Sequence, residues 1–224
     1  MFDIMINCVL TIIALIVMLI LRNKLMEDKM NKIEFGPKQI AIVAVTTAAY
    51  SLLALFGSVF QTSAGVSIVY PATAIAVVFT IWFGGWALIG VYLGTLIGGI
   101  TWAPLLVNMT GGFTTILEGL VPALAFYYIP KLRKDLGDKR SLIVYVVSAV
   151  LLGTFLCSLF GNLNYVIWNY QSLEYTFTAG LWVWWLGDAV GALVLGLPIL
   201  MFMSPYVMKT SLYHQGFFAR RVNK

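Results

Sequence analysis

Two acidic residues stand apart from the other seven. Glu118 lies inside the apolar run 105–129 and Asp188 inside 177–203, while the remaining acids fall in loops or near the chain ends. An ionised aspartate at the centre of a spanning helix costs about 2.5–3.5 kcal/mol on insertion scales. Neither acid is therefore expected to face lipid; each should point into a helix bundle or a wet cavity. No lysine or arginine occurs in 39–130 or 141–208. The compensating charge must come from a proton, a bound cation or a cationic group on a ligand. Both runs are expected to cross in the same direction, which places the two acids at similar depth near the midplane.

Their neighbours sharpen the pattern. Asn108, Gly111, Thr115 and Glu118 fall within about 80° of one another on a helical wheel. Trp184, Asp188, Gly191 and Leu195 form a second narrow stripe, and Asn162 and Asn164 are positioned to close the same vestibule. The plainer alternative is that each acid is a neutral, hydrogen-bonded staple between helices, worth about 1 kcal/mol or less. Trp184 and Trp185 then act as packing or interface anchors.

The elements that position these residues follow from composition. The 224-residue chain is 61% hydrophobic and 10% charged, with a mean hydropathy of +0.92. A soluble domain carries about 25% charged residues, so the bilayer is the expected solvent for most of the chain. The fourteen basic residues lie at 22–38, 131–140 and 209–224. That clustering follows the positive-inside rule and marks three cytoplasmic segments; it is not the surface of a nucleic-acid-binding protein. Cys8 and Cys157 read as small apolar residues, and His214 is the one histidine. That inventory points to no structural zinc, haem or other cofactor. No nucleotide-binding loop, protease motif or soluble catalytic segment is present, so no enzymatic activity and no catalytic residues are expected.

Spanning helices need about 20 apolar residues, and the candidates are 3–21, 39–60, 66–83, 86–102, 105–129, 142–163 and 177–203. Basic segments 22–38 and 131–140 must share one side, so an even number of crossings separates them. A division at Gly84-Gly85 satisfies this, with Trp82 and Trp86 flanking the turn as interfacial residues. The first run has its basic residues after it rather than before it, and reads as a retained span rather than a cleaved leader. The expected fold is an all-α polytopic bundle of about seven transmembrane helices, with the N-terminus outside and the C-terminus inside. Residues 1–38 form an anchoring helix and basic loop, 39–204 the membrane-embedded bundle, and 205–224 a short basic tail. Gly90, Gly94 and Gly98 make a small-residue ladder expected to pack against another helix of the same chain.

Three stretches resemble a known family. The segment WWLGDAVGALVLGLP, 184–198, is similar to the signature helix of the first class of membrane-associated sensor (MASE) domains, with Trp185, Gly187, Asp188, Gly191 and Pro198 in the matching places. Tyr70-Pro71-Ala72-Thr73-Ala74-Ile75-Ala76 resembles a second segment of that family, although Tyr70 replaces the usual tryptophan. Asn108 through Glu118 to Tyr128 resembles a third. The likeness covers roughly 40–203. It implies an integral membrane sensory module of the cell membrane, usually joined to a cytoplasmic output domain. Here the chain runs only about twenty residues beyond the last helix, so the signal is expected to pass to a separate protein. The run PATAIAVVFTIWFGGWALIGVYLGTLIGG is also similar to the substrate-binding S components of energy-coupling factor vitamin transporters, which would make the bundle a small-solute uptake protein. The residues expected to hold a small-molecule ligand are Asp188, Glu118, Asn108 and Trp184, with Trp185 and Tyr70 behind them. Gly187, Gly191 and Pro198 join the glycine ladder as packing residues.

Overall fold

A computed structural model of the chain describes residues 35–63, 66–213 and 217–218. The run 3–21 predicted as the first span, and Cys8 within it, lie outside the described residues. Six helices are present among those described: α1 (Pro37–Phe60), α2 (Ala72–Phe83), α3 (Gly85–Thr101), α4 (Leu105–Tyr128), α5 (Lys139–Ile167) and α6 (Leu173–Val207). Four of them, α1, α4, α5 and α6, are long and apolar enough to cross a membrane.

The ends of these helices follow local chemistry. Pro37 opens α1, where its missing N–H costs little. Asp138 caps α5, its carboxylate accepting from the Ser141 N–H at 2.9 Å and from the Ser141 hydroxyl at 2.6 Å. The Ser172 hydroxyl accepts from the Tyr175 N–H at the start of α6. These caps extend both helices beyond the predicted runs 142–163 and 177–203.

The predicted span 66–83 needs correction. Only Ala72–Phe83 is helical, about 18 Å at 1.5 Å per residue, well short of a hydrocarbon core of about 30 Å. Val66–Ser67 instead pairs antiparallel with Gln61–Ser63, and the chain reaches α2 in a non-helical conformation. Pro71 explains the late start, because a proline disfavours helix at the preceding residue. Irregular backbone at membrane depth is tolerated only where protein covers it. Val66 and Ser67 are buried, the Ser67 hydroxyl lies 2.8–3.2 Å from the carbonyls of Gly57, Phe60 and Val69, and the Tyr70 N–H donates to Gly187 O of α6.

Between α2 and α3 the chain turns at Gly84, whose φ of 66° and ψ of −144° suit only glycine without strain. The flanking tryptophans are covered by other parts of the chain rather than exposed. Trp82 and Trp86 are both buried, and Trp82 Nε1 donates to Ser204 Oγ at 2.8 Å, which in turn donates to the Lys134 carbonyl at 3.0 Å.

The glycine ladder of α3 lies against α1. A Cβ at Gly90 would meet Thr46 Cβ at 2.5 Å, one at Gly94 Tyr50 Cβ at 2.9 Å, and one at Gly98 Ala54 Cβ at 2.6 Å. Close approach also lets Thr47 and Ser51 donate to the carbonyls of Gly90 and Gly94. Helices in lipid associate through such packing rather than through a hydrophobic drive. Gly90→Leu should accordingly lower stability by about 1–3 kcal/mol, the usual cost of overpacking. Thermal unfolding in detergent followed by circular dichroism reads the loss, and an unchanged transition would show that α1 and α3 do not meet there.

Two of the long helices contain π-helical turns. In α5 they cover Val146–Gly153, and in α6 Thr176–Gly180 and Gly191–Gly196. Pro198 follows the last of these, and its missing N–H and bulky ring loosen the preceding turn. Such turns recur at functional sites. Here one ends shortly before Cys157 and another begins shortly after Asp188.

Candidate functional site

Glu118 of α4 and Asp188 of α6 come together in the interior. Cys157 of α5 joins them, one ligating atom of each lying within 4.8 Å of the others. Glu118 and Asp188 are fully buried and Cys157 nearly so. Thr73 of α2 and Trp184 of α6 stand close enough to act on the pair. Even so, neither oxygen of either carboxyl, nor Thr73 Oγ1, is met at hydrogen-bonding geometry among the described residues. Buried polar groups without partners are uncommon. A proton shared between the two carboxyls or a bound ion would satisfy them, and Glu118 and Asp188 lie close enough for the first.

The acids form part of the wall of a cavity of about 50 Å³, room for roughly three to five waters. Along α4 its lining runs from Asn108 through Gly111 and Thr115 to Glu118, about 15 Å of helix. From α6 come Trp184 and Asp188, and Tyr70, Trp102 and Tyr165 also line it. Tyr70 is held by its hydroxyl, 3.3 Å from that of Tyr50, and by an edge-to-face contact with Trp102 at 5.5 Å. Trp184 packs on Tyr165 at 5.5 Å, with Gly161 leaving the space its ring needs. Asn108 lines the cavity while its amide nitrogen donates to the carbonyls of Gly99 and Ala103, both at 2.6 Å.

Other candidates lie elsewhere. Trp185 is not on the cavity wall; its Nε1 donates to Leu151 O at 3.2 Å and its ring meets Phe155. One residue, or 100°, separates it from Trp184 on a helix, enough to turn it onto α5. Asn162 is bonded to Ser158 and Gln171, and Asn164 to Val107 O, and neither lines the cavity. Gly187 and Gly191 pack against the irregular segment before α2 rather than against a helix: a Cβ on either would run into the carbonyl of Ser67 or of Tyr70. Sequence reasoning passed over Thr73 and Cys157. Cys157 carried one usable signal, a thiol within an apolar run otherwise rich in Leu, Phe and Ser, but only the packing of α5 points it at the acids.

Where α4 ends, a buried cation occupies a different setting. Lys134, 8% exposed, holds its ammonium 3.6 Å from the Tyr127 ring centroid and 4.8 Å from that of Tyr213. Tyr127 belongs to the end of α4 and Tyr213 to the segment after α6, so this lysine links the two helices that carry the acids. Burial lowers its ammonium from the usual lysine value of 10.5 to about 7, against the attraction of the ring faces for a cation. The folded state therefore binds fewer protons than the unfolded one between about pH 7 and 10.5, and stability rises with pH across that window. Melting temperatures recorded at about pH 6 and about pH 9 should show this rise, and Lys134→Met should flatten it. An equal slope in the variant would assign the pH dependence to another group.

The fold and site together define a polytopic helical membrane protein with a buried acid pair on a cavity among its helices. The MASE1 family model matches residues 41–219, and the chain belongs to this family of membrane-associated sensor domains. It is a multi-pass protein of the cell membrane. Comparison with curated proteins and with solved structures returned no match.

Proposed function

We propose that the bundle is the ligand-binding part of a membrane sensor, and that the cavity between α4 and α6 holds the small molecule or ion it reads. The observation that carries this reading is the pair of fully buried carboxyls on a cavity wall, in a region that supplies no lysine or arginine to offset them. A midplane acid is expensive to keep, and proteins retain it chiefly where a ligand, ion or proton must be met. Ligand binding supplies the missing partner and draws α4 and α6 together. Lys134 ties the far ends of both helices to the basic loop 131–140, where a separate cytoplasmic or membrane partner protein reads the change.

The test is affinity purification of the tagged protein from its host in mild detergent, with co-purifying proteins identified by mass spectrometry. A histidine kinase, cyclase or other signalling protein in near-stoichiometric amount is the expected result. An ATPase pair with a membrane coupling subunit would replace the sensory reading with vitamin-type uptake.

A further inference from the structure

We infer that Glu118, Asp188 and Cys157 are the protein ligands of a divalent transition-metal ion of the zinc class, bound with one position open to the cavity. The inference rests on the sensory reading of the cavity and names what occupies it. Three donors of two kinds, from α4, α5 and α6, already place one atom each within 4.8 Å of the others. Around a tetrahedral ion with bonds of about 2.0–2.3 Å, donors sit about 3.5 Å apart. Closing the remaining distance asks for side-chain adjustments of about 1 Å, not for a rearrangement of helices.

Charge points the same way. The two carboxylates carry two negative charges into a region where residues 39–130 and 141–208 supply no lysine or arginine. A dication offsets both, and one negative charge remains once Cys157 binds as the thiolate. Sulfur beside the carboxylates selects the class of ion, because thiolate favours zinc-like metals whereas calcium and magnesium prefer all-oxygen shells. An organic ammonium would use the acids but has no use for the thiol, and a cavity of about 50 Å³ leaves room for only a few non-hydrogen atoms beside the pair. Metal binding displaces whatever protons the thiol and carboxyls hold and releases them to solvent. Thr73, fully buried, stands beside the site on α2, close enough to act on both acids. The open position would take water or a small ligand from the cavity that Trp184 and Tyr70 also line, as in zinc sites with three protein ligands. Occupancy ties together α4, α5 and α6, so the metal sets the packing that the partner reads.

The test uses the full chain in lipid nanodiscs, stripped with a chelator and titrated with Zn(II) or Co(II). One ion per chain is expected, with a thiolate-to-cobalt charge-transfer band in the near ultraviolet and intense visible bands of tetrahedral cobalt. Cys157→Ser should abolish the charge-transfer band. Glu118→Gln and Asp188→Asn should each weaken binding by more than the roughly 10–100-fold that loss of an outer-shell partner costs. Absence of a stoichiometric ion in the unsubstituted protein overturns the proposal, whatever the variants do. So does a charge-transfer band that survives in Cys157→Ser, or Zn(II) binding that methylammonium displaces at equal concentration. The two readings fail separately. If no metal binds but the acid variants still silence the partner's output, the metal is wrong and the sensor stands. If the metal binds as described but the acid variants leave that output unchanged, the site stands and the sensory reading falls.

Discussion

The double variant Glu118→Gln, Asp188→Asn should melt no lower than the unsubstituted protein while its ligand affinity falls by more than about 100-fold. The two substitutions keep side-chain shape, so they open no cavity. They also remove two fully buried ionisable groups, whose charged form burial penalises. An amide in the same place carries no charge to be desolvated. Stability bought at the expense of function is the usual outcome when a strained site is neutralised. Thermal unfolding and ligand titration on the same preparation decide the matter. If the acids are instead interhelical staples, each worth about 0.6 kcal/mol in lipid, the variant will melt lower and bind as before.

The second large effect concerns Gly187 and Gly191. Gly187→Ala and Gly191→Ala should each destabilise the bundle by about 3 kcal/mol or more, at the upper end of overpacking costs. The clash at each is with a backbone carbonyl, of Ser67 or Tyr70, not with a side chain that can rotate away. Relief requires the irregular segment to lift from α6, which breaks the bond from the Tyr70 N–H to Gly187 O and displaces the Tyr70 ring from the cavity. Gly111→Ala is the control. A Cβ there meets Asn164 Nδ2 at 3.3 Å and nothing closer, and the helix gains about 1 kcal/mol of propensity. A melting temperature for Gly187→Ala within a degree or two of the control would show that the segment does not rest on α6.

These glycines illustrate how a pattern can be visible while its cause is not. The run Gly187-Asp188-Ala189-Val190-Gly191 has the spacing of a helix-packing motif, and close packing is what those residues do. Their partner is an extended stretch that sequence reasoning placed inside a helix. Val66 to Tyr70 is apolar and β-branched, and a short apolar run of this kind reads equally as helix or strand. Pro71 was the available sign that the helix starts late.

Composition and charge alone determined the membrane class, the interruption at Gly84, and the placement of Glu118 and Asp188 at one depth, because the cost of charge in hydrocarbon leaves few arrangements open. The stripe from Asn108 to Glu118 was legible as well, since its polar residues mark one face of α4. On α5 and α6 nearly every face is apolar, and a helix hydrophobic all round does not say which side is inward. The π-helical turns at Val146–Gly153, Thr176–Gly180 and Gly191–Gly196 shift the register further from any ideal wheel. Only the tertiary structure therefore decided that Cys157 and Thr73 reach the acids, that Trp184 faces the cavity while Trp185 turns to α5, and that Trp82 and Trp86 are buried. Each of those outcomes depends on which neighbour a helix face meets, and that is set by packing between segments distant in the chain.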